Sequence, residues 1–286
     1  MILVTGAAGK TGQAIIQTLA NRGADVRAFV YRSDYIEPVK VVGAREGFVG
    51  DLQDEVALTQ AARGCHAMYH ICPNMHPDEI AIGQRVTAAA KQAGIQRLVY
   101  HSVLHPQVEA MPHHWHKLRV EEMLFESGLD FTILQPAAYM QNILGGWQAI
   151  VSQGVYRVPY PVETRLSIVD LDDVADVAAR VLTEPGHTGA LYELAGPDNP
   201  SQSEVALLLS DLLGYPVKAE QISIDAWTEG AKKAGLGGYQ IETLVKMFRY
   251  YEQYHFEGNA NVLGWLLGRP PTTLRTFLET YISTER

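Results

Sequence analysis

Short apolar runs alternate with segments of helical spacing along the first half of the chain. Apolar runs of this length are typical of buried strands, and the spacing between them is typical of helices. Such alternation favours right-handed crossovers and a parallel, doubly wound α/β sheet. We expect strands at 2–4, 24–30, 47–49, 66–71, 96–100 and 131–134, and helices at 13–20, 55–62, 80–93 and 116–127.

The pattern becomes less regular after about residue 150, with short strands, glycine and proline breaks and a largely helical end. We expect a first domain at 1–152, to which 165–196 contributes, and a smaller, mostly helical substrate-binding region at 153–286. The elements predicted in this part are strands at 155–159, 166–169 and 190–194, and helices at 172–182, 202–213 and 239–254.

The first strand runs directly into a glycine-rich turn that is followed by a helix. Gly6, Gly9 and Gly12 give the spacing G-x-x-G-x-x-G, which differs from the more familiar G-x-G-x-x-G. A surface turn is the plain alternative, but strand, turn and helix in this order place a pyrophosphate on backbone N–H groups at a helix start. The loop residues predicted to bind a dinucleotide are Gly6, Ala8, Gly9, Lys10, Thr11 and Gly12.

Composition narrows the classes of function. With 23 basic and 32 acidic residues the net charge is −9, which argues against direct contact with nucleic acid. Cys65 and Cys72 lack metal or disulfide spacing, and no apolar run is long enough to span a membrane. The first strand at residue 2 leaves no room for a cleaved signal. We expect a cytoplasmic protein with a small-molecule substrate and no membrane contact, and leave a homodimer open.

Several segments, in order, resemble the NmrA-like family over nearly the whole chain. This family belongs to the atypical short-chain dehydrogenase/reductases, which have the Rossmann fold. Its members are NADPH-dependent reductases of quinones, dyes and conjugated or aryl-ether compounds, or catalytically silent redox sensors. The segments that carry the resemblance are Val4–Gly12, Gly50–Leu52, His116–Glu121, Thr132–Pro136, Tyr139–Asn142, Val169–Ala175 and Gly264–Pro271.

Arg32, just after the second strand, favours NADP over NAD, because a guanidinium suits a 2′-phosphate and NAD sites place a carboxylate there. Asp34 is a rival carboxylate, and a solvated surface arginine is the plain alternative. Asp51 resembles the residue that approaches the adenine ring, although an Asp after glycine is often a turn former. The remaining predicted cofactor contacts are Leu52, Cys72, Pro73, Lys117 and Pro136.

The resemblance also implies a catalytic set near the nicotinamide. Ordinary members of the superfamily use a serine and a Tyr-x-x-x-Lys motif; here Ser102 and Lys117 are present, but His113 stands where tyrosine is expected. Isoflavone reductase-like relatives also lack this tyrosine and still transfer hydride to activated acceptors. His113 or His114 is a candidate proton donor, since imidazole titrates near neutral pH, and Tyr139 is a competing donor.

The histidines at 113–116 have two other interpretations. A metal site is disfavoured, because no fixed carboxylate accompanies them and adjacent side chains point in different directions. Exposed histidines on a loop that enters a helix are the plain alternative. We expect no metal.

The sequence therefore predicts an NADP(H)-dependent reductase that transfers hydride to a quinone, conjugated alkene, imine or aryl compound. Lys117 would hold the nicotinamide ribose, while Ser102 and His113 would orient or protonate the acceptor. The alternatives are a silent redox sensor that acts through a protein partner and, less favoured, a sugar-nucleotide epimerase. Apolar residues expected to line a pocket favour an enzyme; they are Tyr139, Met140, Trp147, Tyr156 and Trp227.

Overall fold

The computed structural model describes residues 1–285. Strands and helices alternate through the first 136 residues, and a short 3₁₀ turn at Ser33–Tyr35 precedes the second helix. These elements are β1 (Ile2–Val4), α1 (Lys10–Asn21), β2 (Val26–Val30), α2 (Ile36–Val41), β3 (Glu46–Val49), α3 (Glu55–Ala62), β4 (Ala67–His70), α4 (Glu79–Ala93), β5 (Arg97–His101), α5 (Pro112–Phe125) and β6 (Phe131–Pro136).

The later residues form shorter strands and mainly helices, with a 3₁₀ segment at Met140–Gly146. The elements are β7 (Ala138–Tyr139), α6 (Trp147–Gln153), β8 (Val155–Val158), β9 (Ile168–Val169), α7 (Leu171–Thr183), β10 (Ala190–Leu194), α8 (Gln202–Leu213), β11 (Lys218–Gln221), α9 (Ile224–Lys233), α10 (Gly238–Tyr254), α11 (Asn261–Leu267) and α12 (Leu274–Glu285).

Seven strands form a parallel sheet in the order β10-β6-β5-β4-β1-β2-β3. The short strand β1 is central, since Ile2 is in register with Val26 on one side and Ala67 on the other. The chain therefore runs from β1 through β2 to β3 at one edge, returns to the middle of the sheet at β4, and continues through β5 and β6 to β10 at the other edge. This order confirms the predicted doubly wound α/β fold, in which ligands bind at the carboxyl ends of the strands.

Helices cover both faces of the sheet. On one face α1 packs against α7, whose apolar stripe includes Val174, Val177 and Val181. On the other face α3 packs against α4, and their apolar residues join those of the strands in one buried core. Burial on both faces explains why strands such as β4 and β6 are apolar along most of their length instead of alternating.

A single glycine brings α4 close to α5 within this layer. A Cβ atom on Gly83 would lie 2.7 Å and 2.8 Å from the two methyl carbons of Val120. Glycine in a helix interior costs about 1 kcal/mol relative to alanine, so this position is explained by the close approach of the two helices.

Contacts divide the chain into two units. The first comprises Met1–Gln107, His113–Pro136 and Leu171–Glu193, and the second comprises the remaining segments. The initial continuous stretch of the first unit ends at Gln107, and Leu171–Glu193 is its last segment. The expected boundary at 152 and the contribution of 165–196 stay predictions. No helix within residues 1–285 combines the length and the hydropathy that crossing a membrane requires.

Candidate functional site

The glycine loop after β1 needs two of its glycines for its own folding. Gly6 has a φ of +61°, and a Cβ there would lie 2.9 Å from both Cβ and the carbonyl oxygen of Ile71. A Cβ on Gly12 would lie 2.4 Å from the carbonyl oxygen of Gly6. Both contacts are too short, so Gly6 permits the turn and Gly12 permits α1 to pack against it.

Gly9 differs, because the chain itself does not require a glycine there. Its φ of −77° and ψ of 163° are extended values that any residue adopts, and a Cβ would meet only the oxygen of Gly6, at 3.4 Å. Gly9 is the N-cap of α1, no described side chain caps this helix, and its first turn holds no acid. The open space and the unneutralised helix start fit the diphosphate of a dinucleotide.

Arg32 follows β2 and is exposed, but its guanidinium already has a partner. Nε and Nη2 donate to the two carboxylate oxygens of Asp34 at 3.1 Å and 2.9 Å, and Nη2 also donates to the hydroxyl of Tyr35 at 3.1 Å. The rival carboxylate of the sequence analysis is therefore a partner of the arginine in this structure. A phosphate bound by Arg32 must compete with Asp34.

The residues after β3 form a turn. The carboxylate of Asp51 accepts the backbone N–H of Gln53 at 2.8 Å, which is the turn-forming alternative, and its carbonyl accepts the N–H of Asp54 at 3.0 Å. Leu52 packs against the apolar core of the first unit. An adenine contact at this turn stays a prediction.

Lys117 lies on α5 and is largely buried, with 13% of its side chain exposed. Its Nζ donates to Oε1 of Glu79 at 2.6 Å and to the carbonyl oxygen of His101, the last residue of β5, at 3.3 Å. The hydroxyl of Tyr100 donates to the same carboxylate oxygen at 2.9 Å. Sequence reasoning missed Glu79, the first residue of α4, which is 1% exposed.

Buried aromatic and imidazole groups surround the lysine. Nζ of Lys117 lies 5.4 Å from the centre of the Tyr100 ring. Burial, with the charge of Glu79, raises the pKa of Tyr100 well above its usual value, so the phenol keeps its proton. Burial and the charge of Lys117 lower the pKa of His70 and of His101 to about 3. Lys117 thus has a protonated phenol and two neutral imidazoles among its neighbours.

His113 and His114 are buried within α5, which begins at Pro112 and not at residue 116 as expected. Proline is favourable at the first helical position. The alternative of exposed histidines on a loop is therefore wrong. The expectation that they titrate near neutral pH is also wrong, because burial lowers the pKa of His113 to about 2 and that of His114 to about 4. The Nδ1 atom of His113 has no hydrogen-bond partner within residues 1–285.

Ser102 is 2% exposed, and its hydroxyl donates to the buried carboxylate of Glu121. The side-chain amide of Gln135 donates to both oxygens of the same carboxylate, at 2.9 Å and 3.0 Å. Burial raises the pKa of Glu121 against the effect of these hydrogen bonds. In this structure the Ser102 hydroxyl is engaged within the fold, so a direct contact with an acceptor stays a prediction.

The other predicted residues lie as follows. Cys72, just after β4, is buried, and burial raises the pKa of its thiol, whereas Pro73 is exposed. Pro136 ends β6.

Tyr139 belongs to the second unit, in β7, which pairs with β9. Its role as a proton donor stays a prediction.

Most of the aromatic residues expected to line a pocket have contacts inside the second unit. The Tyr156 hydroxyl donates to Gln202 at 3.0 Å, and Trp227 packs edge to face on Phe248. Trp147 packs in the same way on Tyr281, and Met140 is fully buried. Tyr156 and Met140 are thus core residues, whereas Trp147 and Trp227 are only partly buried. The pocket-lining role of these residues stays a prediction.

A cavity of about 680 Å³ lies at the opposite edge of the sheet, where the strands begin. Its lining includes Arg22, His66, Arg97 and Asp130. Ligands of doubly wound sheets bind at the carboxyl ends, so this cavity is separate from the glycine loop and Lys117. No group of three or more metal-ligating side chains suited to a metal ion occurs within residues 1–285.

The doubly wound sheet, the glycine loop after β1 and the uncapped start of α1 define a dinucleotide-binding protein of the Rossmann type. Residues 1–282 match the model of the NmrA-like family. The chain belongs to the NmrA-like family, which confirms the resemblance found in the sequence.

Three relatives illustrate this membership. The NAD(P)H azoreductase of Xenophilus azovorans is 27% identical over 98% of both chains. A reductase of (4-alkanoyl-5-oxo-2,5-dihydrofuran-3-yl)methyl phosphate from Streptomyces griseus is 32% identical over 96% of this chain and 95% of its own. The crystal structure of an NADPH-dependent quinone oxidoreductase from Escherichia coli, complexed with NADPH, superposes with a TM-score of 0.86 at 26% identity, covering 99% of this chain and 100% of that chain.

Proposed function

We propose that this protein reduces a small activated acceptor, such as a quinone or a conjugated alkene, at the expense of NADPH. The chain is an NADP(H)-dependent oxidoreductase, and its relatives include an NAD(P)H azoreductase and an NADPH-dependent quinone oxidoreductase. The observation that carries the proposal is the pairing, within one unit, of an open helix start at Gly9 with a buried ammonium at Lys117 beside the end of β5. When bound, the cofactor supplies hydride from its nicotinamide ring.

The glycine loop and Arg32 would bind the phosphates. Backbone N–H groups in the first turn of α1 would donate to the diphosphate, which Gly9 admits. The Arg32 guanidinium would pair with the 2′-phosphate after leaving Asp34, and Lys10 at the start of α1 would add a second cation. This arrangement would hold the dinucleotide along the carboxyl ends of β1 and β2.

Lys117 would donate hydrogen bonds to the nicotinamide ribose and so orient the ring. Its charge is balanced by Glu79, so we assign it a role in orientation and not the stabilisation of negative charge. His113 is neutral with a pKa of about 2 and would contribute a polar wall, not an acidic proton. Ser102 would position the buried Glu121 carboxylate, to which its hydroxyl donates a hydrogen bond.

These assignments favour acceptors that need little acid catalysis. Reduction of a quinone or a conjugated alkene adds one hydride and one proton. A stabilised anion can take its proton from water after the hydride has arrived, so a neutral His113 is not a barrier. Imines and aryl compounds remain candidates within the same class.

The test is to follow NADPH absorbance with a panel of quinones, enones and imines, using the wild type, Lys117→Met and the exposed-lysine control Lys91→Met. We expect oxidation with at least one class and a loss on the order of 100-fold in kcat for Lys117→Met, because misorientation of reactants has effects of this size. Tight NADPH binding without oxidation by any member of the panel would instead identify a sensor.

We also propose a cytosolic location, because Cys65 and Cys72 are free thiols and reducing compartments keep thiols unpaired. The homodimer left open by the sequence is untested, and sedimentation would measure the oligomeric state.

A further inference from the structure

We propose that Glu79 is a positioning residue that holds the Lys117 ammonium in place for the nicotinamide ribose. This inference rests on the role proposed above for Lys117. It concerns a residue on a different helix, separated from the lysine by 38 positions, that would act only through the lysine.

The geometry makes Glu79 the principal partner of the lysine. The contact between Nζ and Oε1 is 2.6 Å, whereas the second acceptor, the carbonyl of His101, is at 3.3 Å. The carboxylate is 1% exposed, so water does not screen the pair as it screens a surface ion pair. A long lysine side chain has about 2 kcal/mol of rotamer entropy, so a strong, buried acceptor is an effective way to select one position.

The carboxylate is itself fixed from a second direction. The Tyr100 hydroxyl donates to the same Oε1 at 2.9 Å, and burial keeps this phenol protonated by raising its pKa. Glu79 therefore receives one hydrogen bond from β5 and one from α5 while it stands at the start of α4. The three elements that meet here fix the carboxylate, and the carboxylate fixes the ammonium.

The backbone supplies the close approach that the pair needs. Gly83 lies one turn after Glu79 on α4, and Val120 lies nearly one turn after Lys117 on α5. These two residues are in contact, and a Cβ on Gly83 would lie within 2.8 Å of both Val120 methyl carbons. A side chain at position 83 would push the helices apart and separate the charged pair one turn away.

The experiment is a double-mutant cycle of Glu79→Gln and Lys117→Met, read in two ways: kcat with 1,4-naphthoquinone, and Tm. Glu79→Gln should lower kcat by roughly 10- to 100-fold, as displacement of a positioning group does, and should change kcat less than twofold when Lys117 is already methionine. Glu55→Gln is the matched control, because Glu55 is also the first residue of its helix but accepts a hydrogen bond from Gln92. It should retain wild-type kcat.

Thermal stability provides a readout that does not depend on catalysis. Glu79→Gln should lower Tm in the wild-type background, because it leaves a buried ammonium without its counter-charge. In the Lys117→Met background it should raise Tm, because there it removes an unpaired buried carboxylate. A glutamate that stabilises the fold independently of Lys117 would lower Tm in both backgrounds, and the loss of kcat then separates a positioning role from a merely structural ion pair.

Gly83→Ala is the second variant, which keeps both charged residues. We expect it to lower kcat, and Val120→Ala to restore kcat by making room for the new methyl group. One result would overturn the inference and leave the proposed function standing. In that case Lys117→Met loses turnover, Glu79→Gln keeps wild-type turnover, and the Tm effects of the two substitutions are additive. Wild-type turnover in Lys117→Met would overturn the proposed role of the lysine, and the positioning role with it.

Discussion

Replacing Gly9 with alanine should weaken dinucleotide binding by about 10- to 100-fold while leaving the fold intact. The new Cβ would meet only the oxygen of Gly6, at 3.4 Å, and the backbone angles suit any residue. Alanine is a poorer N-cap than glycine, but glycine has more conformational freedom to lose on folding, worth about 0.4–1 kcal/mol. The two effects oppose each other, so the free energy of unfolding should change by less than about 1 kcal/mol.

Gly12→Ala makes the matched comparison. Its Cβ would lie 2.4 Å from the Gly6 carbonyl oxygen and 2.7 Å from Cα of Ala7, and backbone atoms cannot yield as a flexible side chain can. Overpacking of this kind costs about 1–3 kcal/mol, occasionally more. Gly12→Ala should therefore lose stability, whereas Gly9→Ala should lose affinity.

The affinity loss follows from the phosphate contacts. A methyl group at Gly9 would hold the diphosphate away from the N–H groups of α1, and a hydrogen bond to a charged group is worth about 1.5–3 kcal/mol. Losing one such bond weakens binding by about 10- to 100-fold. Titration with NADPH and a denaturant melt of each variant measure both quantities. Unchanged NADPH affinity in a folded Gly9→Ala protein would refute the assignment of the phosphates to this loop.

Four further predictions concern cofactor choice, the pH dependence of turnover, the pH dependence of stability, and a helix cap. Arg32→Ala should weaken NADPH binding by about 10- to 100-fold with little effect on NADH binding, and Asp34→Asn should strengthen NADPH binding. Titration with both cofactors measures these affinities. Equal losses for both cofactors in Arg32→Ala would contradict the prediction. His113→Gln should leave the shape of the kcat profile between pH 6 and 8 unchanged, because the pKa of the ring is about 2; a limb that vanishes in the variant would oppose this. Because the pKa of His113 is low only in the folded protein, the unfolded chain, with histidine pKa values near 6.5, binds more protons. The free energy of unfolding should therefore fall as pH drops below about 6.5, by about 1.4 kcal/mol per pH unit for each such histidine. Denaturant melts at pH 5 and 7 measure this slope, which His113→Gln should reduce. Ser201→Ala should cost about 1 kcal/mol, because Ser201 caps α8 in a capping box with Glu204; an unchanged midpoint would show that the cap is dispensable.

The sequence predicted the sheet well because strands buried on both faces are continuous apolar runs. The helix at Glu55–Ala62 and the strand at Ala190–Leu194 match the structure at both ends. The start of α5 was placed four residues too late, because the polar residues after Pro112 do not show an apolar stripe. The proton-donor role expected for His113 assumed the usual pKa of imidazole, and burial, which the local sequence does not show, lowers that pKa.

The residues of the candidate site likewise fall into two groups, those that the sequence identifies and those that it does not. Local motifs identify residues whose role depends on backbone geometry, such as Gly6 and Gly12, because a turn and a close helix approach are set within a few residues of chain. The partners of polar side chains depend on tertiary packing, and neither the Glu79–Lys117 pair nor the Ser102–Glu121 bond has a short-range signature. An acid in the first turn of a helix is ordinarily explained by the helix dipole alone.

One local signal did point to the missing partner. Glycine inside a helix is unfavourable and needs a reason, either in packing or in function. Gly83 lies inside α4, and its reason is the contact with Val120 on α5. A reader of the sequence could have inferred that the helix carrying Gly83 approaches another helix closely, and that a polar residue one turn earlier would face a partner. Identifying that partner as Lys117 required the structure, because several helices could have supplied the contact.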